Sequence, residues 1–193
     1  MQSLRSLKNR IKLAIEISNI GPIARRYFVI GAFDGALTIL GIIVGAYTVN
    51  ELSKELVLAA GVAAGIALGV SSAVGAFEAE RVESALRHLD LERAMLCQVE
   101  GGTRRDAMRF GNYAGAIIHG IAPLLAAFVP LVPFFFMEPE EAMLVAILVT
   151  LLFLFAMGIY LGSLIRETIV YTGLRFVVAG LGTAIILLLI GGH

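Results

Sequence analysis

A carboxylate stands inside the apolar stretch VIGAFDGALTILGIIVGAYT, where Asp34 falls between Val29 and Thr48. At the centre of a membrane helix an aspartate costs about 2.5 to 3.5 kcal/mol on insertion scales, so its presence asks for a chemical reason. Steps of three and four through Asp34 collect Gly31, Thr38, Gly41, Gly45 and Thr48, all of them small or polar. Phe33, Leu37, Leu40, Val44 and Tyr47 form a second, bulky row at the same spacing. A recurrence of about 3.5 residues suits the seam of a left-handed helix pair. Carboxylate oxygens are hard ligands for divalent cations, and a carboxylate can trade a bound ion for a proton. The seam therefore points to an ion or proton path. A hydrogen bond to a neighbour, or access by cytoplasmic water, is the plainer alternative.

Two further groups could do chemistry. Asn112, Gly115, His119, Ala122 and Ala126 share one helical face, with His119 either a ligand or proton carrier or the partner in one interhelical hydrogen bond. The polar segment FEAERVESALRHLDLERAMLCQVEGG, if helical, sets Glu80 beside Glu83 and His88 beside Glu92. Such pairs can bind a divalent metal, yet the interleaved arginines equally fit a solvated, salt-bridged helix. Met95 and Cys97 add soft ligands without any zinc-finger spacing.

The elements that must position these residues follow from composition. Of 193 residues 59% are hydrophobic and 16% charged, with a mean hydropathy of +0.89, which marks an all-α integral membrane protein. Five spans are expected, from about Tyr27 to Val49, Leu56 to Phe77, Phe110 to Phe135, Ala142 to Leu164 and Thr168 to Ile190. The fifteen Lys and Arg residues fall almost wholly in the N-terminal segment, the second-to-third connection and the fourth-to-fifth connection, where Arg166 and Arg175 are counted. Five alternating spans put those regions on one side, so the N-terminus is expected in the cytoplasm. No cleavable signal peptide is expected, because the first long apolar run begins near Tyr27 without a small-residue cleavage site.

Residues 1–26 are expected to form an amphipathic interfacial helix, with Leu4, Leu7, Ile11 and Ile15 on one face and Arg5, Lys8 and Lys12 elsewhere. That helix would lie on anionic lipid and be broken by Gly21-Pro22 before the five-span domain of residues 27–193. In span two, Gly61, Gly65 and Gly69 recur every fourth residue and predict close packing, with the span buried among other helices. Pro123, Pro130 and Pro133 predict a kink or early end in the outer half of span three. The cytoplasmic extension of span two occupies residues 78–109. Formal net charge is zero and the basic residues hug the membrane, so nucleic-acid binding has no support. No Ser/His/Asp constellation, hydrolase motif or phosphate loop suggests an enzyme.

The segments FDGALTILGIIVGA, GVSSAVGAFEAERVE, APLLAAFVPLVPFFF and TGLRFVVAGLGTAIILLLIGG, in that order, resemble the vacuolar iron transporter family. The resemblance implies a homodimer with a metal path between subunits, lined mainly by spans one and two. It implies export of ferrous or related divalent ions, iron or manganese, in exchange for protons, with no tightly bound cofactor. Asp34 stands at the family's first-span metal ligand, and Gly31, Thr38, Gly41, Ser72, Asn112 and His119 are expected along the path. Ala64 and Ser72 stand where the family carries a glutamate and a methionine. The family's long cytoplasmic metal-collecting insert is shortened here, leaving Glu80, Glu83 and Glu92 as candidate metal ligands. The host would be the cell membrane in a prokaryote or a vacuole-like membrane in a eukaryote. A scaffold that keeps the fold without transport is the alternative.

Overall fold

A chain in hydrocarbon must satisfy every backbone N–H and C=O internally, so each long apolar run closes into a helix. The computed structural model describes residues 20–97, 103–165 and 168–191, and its described elements are helical. They are α1 (Ile20–Thr48), α2 (Lys54–Met95), α3 (Thr103–Leu131), a 3-10 turn (Val132–Phe135), α4 (Pro139–Ile165) and α5 (Ile169–Gly191). All five α-helices are long and apolar enough to cross a membrane. The molecule is therefore an all-α integral membrane bundle, as composition implied. The expected interfacial helix lies outside the described residues up to position 19; α1 is already helical at Gly21-Pro22, so no break separates that pair from the span.

Local chemistry sets the helix ends. Ser53 caps α2 by accepting the Leu56 N–H at 3.3 Å, with Glu55 in the favourable first turn. Leu96 ends the same helix in the left-handed conformation (φ 52°), its N–H reaching the Arg93 carbonyl. The prolines of α3 act as expected only at its end: the helix runs through Pro123 and gives way to the 3-10 turn just after Pro130.

Glycines decide the packing, because no lipid-driven hydrophobic force holds helices together and close backbone approach must substitute. Helix α3 is the hub. Gly61, Gly65 and Gly69 of α2 lie against Leu131, Ala127 and the Gly120 carbonyl of α3. Gly31 and Gly35 of α1 receive the ring and backbone of Pro123 on the other side. Helices α4 and α5 meet where Gly158 faces Gly173. The glycine stripe thus buries one face of α2, whereas Val62, Ile66, Val70 and Val74 stay exposed. Within one chain, one face of α2 is packed and the other carries exposed apolar side chains.

At its inner end α2 continues unbroken to Met95. Arg81 pairs with Glu78 at 2.6 Å, Arg87 with Glu83 at 3.1 Å and Arg93 with Asp90 at 3.4 Å, all one turn apart. Arg175, counted with the fourth-to-fifth connection, lies inside α5 in its second turn.

Candidate metal site

Helix α1 is packed on α3 through Gly31 and Gly35, and this fixes the direction in which Asp34 points. Its side chain is exposed on the outer surface of the subunit, although the span around it is apolar. It makes no hydrogen bond or ion pair with any described residue. Asp34 looks into a groove of about 280 Å³ between α1 and α5, walled by Val29, Ile30 and Phe33 on one side and Arg175, Phe176 and Ala179 on the other. The edge-to-face contact of Phe33 with Phe176, centroids 5.1 Å apart, ties the two helices beside the carboxylate.

Part of the expected seam survives. Thr38, Gly41 and Gly45 are partly exposed along α1 beyond Asp34, and a side chain at Gly45 would meet nothing within 4 Å. Gly31 does not belong to it. A Cβ there would stand 2.8 Å from the Pro123 ring and 3.0 Å from Ala122, so Gly31 is an α3 contact within its own chain. The groove wall facing α1 comes from α5 of the same chain. Ser72 is partly buried on α2 and does not line it. Asn112 is buried and accepts the Ser84 hydroxyl at 3.2 Å, a fixed link between α2 and α3.

His119 takes the interhelical role. Its Nδ1 lies 3.0 Å from the Tyr27 carbonyl, and the two rings stack at a tilt with centroids 4.8 Å apart. A carbonyl only accepts, so Nδ1 carries the proton in this bond. The imidazole remains close enough to Asp34 to interact with it electrostatically.

Glu80, expected as a ligand beside Glu83, turns inward instead. It is 9% exposed, and it accepts the Tyr27 hydroxyl at 2.8 Å and Arg26 Nη2 at 3.3 Å. Glu83 points outward to Arg87, and Glu92 lies 3.6 Å from His88. Residue spacing alone could not separate Glu80 from Glu83, because three residues along a helix differ by about 60° and one side was covered by α1. Tyr27 and Arg26 are the functional neighbours that sequence reasoning missed; an aromatic hydroxyl at the inner rim was the available signal. Tyr27→Phe should lower stability by about 1 to 2 kcal/mol, since it strips a buried carboxylate of its nearest donor. Thermal unfolding in detergent checks this.

Among the described residues of one chain, no three His, Cys, Asp or Glu side chains gather into a metal-sized cluster. The profile of the VIT family matches residues 25–109 and 79–192, nearly the full chain. The chain belongs to the VIT family. VIT proteins are membrane transporters of divalent metal ions, and membership gives this chain that general role. The two matched stretches overlap over residues 79–109. A relative, the uncharacterized protein MJ0645 of Methanocaldococcus jannaschii, is 31% identical over 98% of this chain and 95% of its own length.

Proposed function

We propose that this VIT protein carries iron or manganese out of the cytosol in exchange for protons, along a path formed where two copies bring their α1 helices together. The observation that supports this is the setting of Asp34: an exposed carboxylate on an apolar span that makes no hydrogen bond or ion pair among the described residues of its own subunit. A charge so placed in hydrocarbon is expensive unless something arriving from outside the chain neutralises it. Two Asp34 carboxylates would balance one divalent ion, and the small residues Gly41 and Gly45 would let the two helices approach. Glu80 and Glu83 have no part in this site, being engaged by Tyr27, Arg26 and Arg87.

A second reading is favoured by span two. Ala64 packs against the apolar cluster around Ile39 and Leu131, and Ser72 is only a weak donor of oxygen. A fold that lost its second-helix ligands could persist as a membrane scaffold. Reconstitution separates the two: purified protein in liposomes should admit ferrous or manganous ion to an encapsulated dye, driven by an opposing proton gradient and halted by a protonophore. Flux indifferent to the gradient would remove the proton coupling. Absence of flux, together with absence of saturable metal binding, would favour the scaffold.

A further inference from the structure

Arg175 is set inside the apolar length of α5, and its guanidinium has no carboxylate partner among the described residues. Its carbon rests 4.4 Å above the Tyr171 ring, a cation–π perch. Across the same groove, on the α1 wall, stands Asp34, which makes no hydrogen bond or ion pair among the described residues, the His119 imidazole being its electrostatic neighbour within the chain. Everything else lining the groove is apolar. Opposite charges thus face one small hydrocarbon-lined space from two helices, and each is costly there alone.

We propose that Arg175 is the resident counter-charge of Asp34, crossing the groove to pair with the carboxylate when no metal is held and returning to Tyr171 when a divalent ion takes its place. The inference rests on Asp34 being the metal ligand. Arginine suits the task because its planar fork matches a carboxylate and it never loses its charge. The long stem allows the head to move without moving the helix. The arriving ion must displace the guanidinium, so Arg175 weakens binding and speeds release. Tyr171 is the other end of the exchange, since it holds the displaced cation within an apolar setting. A snorkelling anchor with no link to Asp34 would show none of this competition.

The test uses the full chain in nanodiscs with Mn2+ as probe, read by calorimetry. Arg175→Gln should bind Mn2+ about fivefold more tightly, the size expected for loss of one partly exposed charge pair, while Arg175→Lys, which keeps the charge but not the planar fork, should lie between Arg175→Gln and wild type. Tyr171→Leu, which removes the perch, should weaken binding. Without metal, Arg175→Gln should lower the unfolding temperature in the wild-type background and leave it unchanged in Asp34→Asn. Unchanged affinity in both Arg175→Gln and Tyr171→Leu, or equal thermal shifts in the two backgrounds, would overturn the counter-charge role. Should Arg175→Gln fail to fold, the affinity of Tyr171→Leu decides alone. Undiminished Mn2+ binding by Asp34→Asn would instead overturn the assignment of the metal ligand itself.

Discussion

Asp34→Asn should abolish metal flux while leaving the bundle folded. The side chain is exposed and bonded to no described residue, so the substitution breaks no contact and removes a charge from an apolar surface. Stability should stay within about 1 kcal/mol of wild type, because relief from burying an ionised aspartate in a span is offset by loss of its pairing with Arg175. Transport should fall at least about a hundredfold, since even outer-shell changes at metal sites cost 10- to 100-fold and this change strikes the proposed ligand directly. The paired measurement is thermal unfolding beside dye-reported Mn2+ entry into liposomes. Equal flux in the two proteins would place the carrier site elsewhere.

Gly35→Val should have the opposite signature, with the fold damaged first. A Cβ at Gly35 would run into the Pro123 carbonyl, and Pro123 Cα would be only 2.7 Å away. The obstacle is backbone, which cannot swing aside as a side-chain tip can. Overpacking of a tight contact typically costs 1 to 3 kcal/mol, and here the joint between α1 and α3 must open, so a loss of at least about 3 kcal/mol is expected. Gly182→Ala is the control: nothing lies within 4 Å of its Cβ position, and its unfolding temperature should match wild type. If Gly35→Val unfolds like wild type, the two helices are not joined at Pro123.

The five helices were legible because apolar length is a property of the chain alone, and each expected span coincides with an observed helix, overrunning it by one residue at Val49 and Thr168 and taking in the 3-10 turn after α3. The anomaly of Asp34 was legible for the same reason. Which way each face turns was not, because that depends on which neighbour covers it. Gly31 sits in step with Asp34 along the sequence but lies around the helix on the side taken by Pro123, and Gly35, the tightest contact of α1, belonged to neither row. The glycines of α2 showed close packing without showing that a single partner supplied it. Arg175 counted toward the charge bias of a connection, which hid its place beside the groove. Glu80 and Glu83 looked like a pair until Tyr27 claimed one of them.

Helix α2 has 42 residues, or roughly 63 Å at about 1.5 Å per residue, about twice the ~30 Å thickness of a bilayer core. Its far tip carries Cys97, exposed and the sole sulfhydryl of the chain. A nitroxide or dye can therefore be attached there without first engineering a cysteine-free background. The spacing between two such tags, measured by pulsed spectroscopy in native-like discs, would register assembly and any tilting of the rod during a cycle.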